Sequence, residues 1–199
     1  MKRSFLVRLF KLTIVISIVF KLFQVLVRLY NIVVLTQIIS GNDKYRTKLR
    51  FVVQELRIEN IIGYIIIISL LVLLSIWFYL RYRDAHKQTN LQLSYKPIWA
   101  LFAFVIPIFN LFAPYRIMND LWTVHNRDMS LEIWGRNQIK IWWFLSIGLF
   151  VFSRYIAIRF NGASDLPAYL SLEYFSLALF AVTIHYYFLL LKLVNLLSD

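Results

Sequence analysis

Of the 199 residues, 60% are hydrophobic and only 16% charged, with a mean hydropathy of +0.66, against roughly 25% charged residues in an ordinary soluble domain. That balance excludes a water-soluble globular fold and points to a membrane protein. The absence of cysteine excludes disulfides, thiolate metal sites and cysteine nucleophiles, and leaves the redox compartment open. The formal charge of +12 is spread over several short basic stretches, which fits loops facing an anionic bilayer surface and argues against a nucleic-acid-binding patch.

Residues 5–39 contain no proline or glycine and read as one helix, about 50 Å long if continuous. A basic start followed by an apolar run has the outline of a signal peptide. No small-residue cleavage site follows, however, and Lys11, Lys21 and Arg28 interrupt the apolar run, so the segment reads as an uncleaved anchor. At about 100° per residue, Arg8, Lys11, Lys21 and Arg28 share an arc of about 160°. This predicts an amphipathic first part and a membrane span over 19–39.

Ser40, Gly41 and Asn42 stop that helix. Leu49, Val52, Val53 and Leu56 then recur at i, i+3, i+4 and i+7, which predicts an interfacial amphipathic helix over 43–58. Residues 61–80 carry no charge and predict a second span, long enough at 1.5 Å per residue to cross a hydrocarbon core of roughly 30 Å. It ends in the aromatic and basic collar WFYLRYRDAHKQ, a composition suited to headgroup level.

The next segment, 97–124, is apolar but broken. Pro107 and Pro114 each remove an amide donor and clash with the carbonyl four residues earlier. Asn110, between them, can both donate and accept, and is expected to satisfy backbone groups that the break frees. Pro114 suits the first turn of a new helix. In that helix Ile117, Met118, Leu121 and Trp122 form an apolar face and Arg116, Asn119, Asp120 and Thr123 a polar one, so it is expected to lie in the interface. Two further spans follow. One covers 141–158 and is interrupted only by Arg154; the other covers 170–191 and holds Glu173, His185, Tyr186 and Tyr187.

The distribution of lysine and arginine decides whether the broken segment crosses. With the N-terminus inside and 81–140 kept on one side, thirteen basic residues lie inside and six outside; a fifth crossing over 98–113 leaves nine inside and ten outside. The expected fold is therefore an all-α integral membrane protein with four transmembrane helices. Interfacial amphipathic helices and a proline-broken re-entrant segment complete a single membrane domain over 1–199, with both termini cytoplasmic.

Residues 76–122 bear a further pattern: Trp77, Tyr79 and Arg81, then Pro97, Trp99 and Ala100, then Pro107, Ile108, Asn110, Leu111, Pro114, Tyr115, Met118 and Trp122. This resembles the signature of a bacterial multi-pass membrane family catalogued as domain of unknown function 4328. The later Trp142 and Trp143 pair also fits, and the resemblance covers residues 60–190. Two positions depart from it: Asp84, where the family usually has asparagine, and Ile98, where it often has glycine. The resemblance implies a helical membrane fold in the bacterial cytoplasmic (inner) membrane, and brings no activity or catalytic residue.

Candidate ligand- or partner-binding residues are thus Pro107, Asn110, Pro114, Tyr115, Arg116, Trp122, Trp99, Arg81 and Asp84. The expected partners are membrane lipids, with anionic headgroups at the inner face, and a protein partner or second copy; no nucleic acid is expected. Asp84, His86, Asp120 and His125 lack a metal-ligand spacing and read as solvated headgroup-level side chains, so no metal or cofactor is expected. Arg154 and Glu173 lie about equally far from the loop NGASDLPA on antiparallel spans and are expected to pair, with Arg28 as the alternative partner of Glu173. No Gly-rich phosphate loop, Ser-His-Asp ordering or nucleotide motif occurs. The sequence therefore favours a non-catalytic membrane binding, docking or regulatory component. A small transporter or channel subunit using Asn110, Arg154, Glu173 and His185, and a membrane-embedded lipid-modifying enzyme using Asp84, His86, Asp120 and His125, stand as alternatives.

Overall fold

The computed structural model describes residues 3–88, 92–125, 129–163 and 165–198, and all regular structure among them is helical. Helix α1 (Arg3–Ile39) has nothing in its sequence to interrupt it. It ends where Gly41 adopts a positive φ of 87°. There the Gly41 and Asn42 amides donate back to the carbonyls of Ile38 and Gln37, each at 3.0 Å, and glycine takes this left-handed cap without a Cβ penalty.

A 3-10 turn, Asp43–Lys48, leads into α2 (Leu49–Gln88). The interfacial helix expected over 43–58 is thus not a separate element: its apolar periodicity belongs to the first turns of α2, which continues without a break into the second span. No proline marks the junction, and the one glycine there, Gly63, costs only about 1 kcal/mol inside a helix. At 40 residues, α2 is about 60 Å long.

Each proline of the broken segment opens a helix instead of kinking one. Pro97 and Pro107 start α3 (Pro97–Phe102) and α4 (Pro107–Asn110), each preceded by an extended residue, Lys96 and Ile106, as the ring of a following proline demands. Pro114 sits in the first turn of α5 (Ala113–His125). Helices α6 (Met129–Asn161) and α7 (Leu166–Ser198) complete the chain. Among the described residues four helices are long and apolar enough to cross a membrane: Ser4–Ile39, Ile58–Gln88, Ile133–Phe160 and Leu166–Leu197. The protein is a multi-pass membrane protein.

The long helices pack antiparallel in the order α2, α1, α7, α6. Helix α1 lies between α2 and α7, whose Cα atoms do not come within 8 Å of each other among the described residues, and α5 runs from α2 to α6. The register is visible in paired side chains. Phe10 meets Trp77 with ring centroids 5.8 Å apart, and further along α1, Phe20 lies near Gly63 of α2. On the other side of α1, Lys21 lies over Phe180 and Val34 packs with Leu166. Trp142 stacks on Tyr186, and Phe160 meets Tyr169. The start of α1 and the ends of α2 and α7 therefore share one end of the bundle.

That end holds most of the core, including Trp77, Phe78, Tyr82, Ile117, Met118, Trp142 and Leu193. Trp122 of α5 lies flat on α6 at Gly135, where a Cβ would overlap the indole. Away from this core, Val19, Leu22, Leu26, Leu29 and Val33 of α1 are exposed, the apolar surface that a bilayer covers.

Candidate functional site

The broken segment is held by two polar ties. In the first, the buried Tyr82 of α2 donates its hydroxyl proton to Asp120 Oδ2, and Asp120 also accepts from the Ser94 amide at 2.9 Å and the Ser94 hydroxyl at 3.1 Å. The Tyr95 amide donates to the Tyr82 oxygen at 3.0 Å. Asp120 is thus a structural acceptor that fastens α5 to α2 and to the chain ahead of α3, and not a freely solvated side chain. Tyr82→Phe leaves Asp120 short of one donor and the Tyr95 amide without its acceptor. It is expected to cost about 1–3 kcal/mol, measured by thermal unfolding in lipid nanodiscs, and an unchanged midpoint would contradict the network.

In the second tie, the indole N–H of Trp143 on α6 donates to the Leu111 carbonyl at 3.2 Å. This tryptophan does the work expected of Asn110. The Asn110 side chain is half-buried at the end of α4 and makes no hydrogen bond among the described residues. An aromatic cluster covers the same turn: Phe109 meets Tyr95 at 5.0 Å, Trp99 at 5.6 Å and Phe112 at 5.9 Å between ring centroids.

The predicted site residues fall in three places. Trp99, Asn110, Tyr115 and Arg116 lie on the broken segment, where the guanidinium of the exposed Arg116 covers the Phe112 ring at 5.6 Å. Pro107 and Pro114 act through the backbone as helix openers, and Trp122 is a core residue, 1% exposed. Arg81 and Asp84 instead line a small recess at the end of α2, together with Gln88, Leu121, Val124, His125 and Leu197. His86 is turned away and donates its Nδ1 proton to the Tyr82 carbonyl at 2.8 Å. Among the described residues no group of three or more His, Asp or Glu side chains is gathered as a metal site requires.

The most concentrated polar chemistry lies elsewhere, within the membrane-spanning helices. Arg28 of α1 donates through one nitrogen to both oxygens of Glu173 on α7, each at 3.1 Å, and through the other to Glu59 Oε2 of α2 at 3.2 Å. Asn31, one turn along α1, donates to Glu173 Oε1 at 3.4 Å. One turn and more in the other direction, Lys21 donates to Gln24, and its ammonium lies 4.2 Å from the centroid of the Phe180 ring. Arg28 and Glu173 are 5% and 1% exposed. Two cations thus face two carboxylates, the balance that makes charge tolerable away from water.

The spacing that builds this cluster is regular. Phe10, Ile14, Ser17, Lys21, Gln24, Arg28, Asn31, Leu35 and Ile38 follow one another at alternating steps of four and three along α1. All but the half-buried Lys21 are buried. This is the heptad seam of a packed helix pair, apolar at both ends and polar through its middle. The arc shared by Arg8, Lys11, Lys21 and Arg28 is, at Lys21 and Arg28, an inward face. In a bilayer polar side chains find their partners inside the bundle.

Glu173 therefore pairs with Arg28, and the expected pairing with Arg154 does not form. Arg154 is exposed on α6. The register set by Phe160 against Tyr169 and Trp142 against Tyr186 brings α6 to the level of Glu173 near Ile156, and Arg154, two residues earlier, points about 200° away. The losses from Glu173→Gln and Arg154→Gln are accordingly expected to add to within about 0.5 kcal/mol in the double variant. A larger coupling in unfolding experiments would place Arg154 in the network.

Sequence reasoning missed Lys21, Gln24, Asn31 and Glu59 as members of this cluster; the alternating four-and-three spacing on α1 was the signal that could have found them. No curated protein and no solved structure matches the chain. Residues 51–199, most of its length, match the family described as a domain of unknown function (DUF4328), and the chain belongs to that family.

Proposed function

We propose that the protein is a non-catalytic docking component of the bacterial cytoplasmic membrane, with both termini cytoplasmic, that holds an anionic lipid headgroup in the recess between α2, α5 and the end of α7. The recess carries this reading. It sets Arg81, Gln88 and His125, with the carboxylate of Asp84 among them, beside the apolar Leu121, Val124 and Leu197, the pairing of polar and apolar groups that an amphiphile fits. Charge supports it too, because thirteen lysines and arginines belong to segments at this end of the bundle and six to the other.

The broken segment supports a shallow dip into the bilayer beside the recess. Val105, Ile108 and Leu111 are exposed there, and their turn is fastened from within by Trp143 and the aromatic cluster. A transport pathway through Asn110, Arg154, Glu173 and His185 draws less support, since Arg154 and His185 are exposed and Glu173 is tied to Arg28.

The test is lipid retention by native mass spectrometry after delipidation and exposure to mixed phosphatidylglycerol and phosphatidylcholine. The wild-type protein is expected to retain phosphatidylglycerol selectively, and the Arg81→Gln/His125→Gln variant to lose roughly tenfold in affinity, about 1.4 kcal/mol. Equal retention of both lipids, or selectivity untouched in the variant, would overturn the reading.

A further inference from the structure

One face of α2 carries Leu73, Trp77, Arg81, Asp84 and Gln88 in succession, at steps of four or three. Asp84 and Gln88 line the recess, Leu73 and Trp77 line a shallow cleft between α1 and α2, and Arg81 lines both. The cleft extends from Arg81 about 12 Å along α2 toward the middle of the bundle, and Leu6 and Val7 of α1 with Ile76 and Leu80 of α2 complete its walls. Its free space is about 280 Å³ with the open side included. That is below the roughly 300–1,000 Å³ of pockets that enclose a whole small ligand, so the cleft fits a segment of a larger one.

Three features identify the segment. Apart from Trp77 and Arg81 the walls are aliphatic. The mouth is basic on both helices, with Arg81 on α2 and the exposed Arg8 beside Val7 on α1, which suits a chain that leaves an anionic group. Trp77 stands one turn, about 6 Å, below Arg81, and its buried indole N–H has no hydrogen-bond partner among the described residues. The ester carbonyl of a glycerolipid, which lies just below the phosphate, is an acceptor of the kind that N–H lacks.

We propose that the cleft holds one acyl chain of an anionic glycerophospholipid whose headgroup sits in the recess, with Arg81 at the junction of phosphate and chain. The inference rests on the recess as the headgroup site and extends that site from the headgroup to the chain. Continuity with the recess along one helical face separates the cleft from the rest of the apolar surface. Leu26 and Phe144 are just as apolar and more exposed, but border neither feature.

The experiment uses the full-length protein in nanodiscs with limiting phosphatidylglycerol that carries a diazirine in one acyl chain, or with the matching phosphatidylcholine. After irradiation the labelled residues are mapped by peptide mass spectrometry, and headgroup preference is measured on the same sample by native mass spectrometry. The phosphatidylglycerol probe is expected to label 6–7 and 73–81 on the order of tenfold more than the segments around Leu26 and Phe144. The phosphatidylcholine probe is expected to show no such enrichment. Ile76→Trp and Val7→Trp fill the cleft from opposite walls, so that one variant serves if the other fails to fold. Each is expected to lower cleft labelling on the order of tenfold, and Arg81→Gln/His125→Gln to lower it as the headgroup loses its hold. A wild-type preference for phosphatidylglycerol with labelling spread evenly over the helices would overturn the chain assignment alone. Equal enrichment by both probes would overturn the recess as an anionic site and the tie between the two. Cleft labelling untouched by the filled variants would overturn the proposal.

Discussion

Arg28→Met is expected to be the most damaging single substitution in the spanning helices, lowering stability by about 3–5 kcal/mol because it leaves Glu59 and Glu173 buried without their shared cation. The same change made together with Glu59→Gln and Glu173→Gln is expected to recover most of that loss. A buried ion pair adds little over a well-packed neutral replacement, whereas half of one is very unfavourable. Denaturant unfolding in nanodiscs, followed by tryptophan fluorescence, gives both numbers. If Arg28→Met proved as mild as an exposed substitution, or if the triple variant were worse than the single one, the charge balance would not be what holds α1 in place.

The second large effect is expected at Gly135, and its test rests on one substitution made at two places in one helix. Gly135→Ala drives a Cβ into the buried Trp122 ring, and overpacking of this kind costs about 1–3 kcal/mol. Part of it is offset by the roughly 1 kcal/mol by which alanine exceeds glycine in a helix. At Gly148, also on α6, an added Cβ meets nothing within 4 Å, so Gly148→Ala is expected to stabilise by about 0.5–1 kcal/mol. Adding Trp122→Leu to Gly135→Ala should then cost less than the two separate losses combined, since the smaller side chain gives the new methyl room. Equal effects at Gly135 and Gly148 would show that Trp122 does not press on the α6 backbone.

These two sites also show what the amino-acid order reveals. The spans could be read directly, because 61–80 is free of charge and no soluble helix would be so uniformly apolar. Pro114 announced a helix start, since the fixed φ and missing amide of proline suit the first turn, whereas Pro107, read as a break, and Pro97 open helices as well. The buried face of α5, Ile117 through Trp122, followed from simple periodicity. What resisted reading was partnership. Nothing local says that the Leu111 carbonyl is met by Trp143, 32 residues away, instead of by Asn110 beside it.

Arg28 and Arg154 present the same difficulty in a sharper form. Distance from a loop ranks Arg154 as the partner of Glu173, but helical phase turns it away and brings in Arg28 from a helix 145 residues distant. The polar seam of α1 was not recognised as one unit for a related reason. A rule learned from soluble proteins, that charged positions mark the outer face, inverts where the surrounding medium is hydrocarbon. The unbroken run of α2 through Gly63 shows a third limit, since an apolar periodicity at 49–56 fits a surface helix as well as the leading turns of a span.

The distance along the chain between Arg28 and its two acids also sets an order of events during synthesis. Glu59 follows Arg28 by 31 residues and Glu173 by 145. At about 5–20 residues per second, the first carboxylate is made within roughly 2–6 s of the arginine and the second about 7–29 s after it. During that interval the hairpin of α1 and α2 holds a guanidinium half neutralised, and its other partner has not yet left the ribosome. Helix α7, made well after α1 and α2, is thus the one that completes the burial of Arg28, and a nascent chain stopped before α7 carries an unfinished charge in α1.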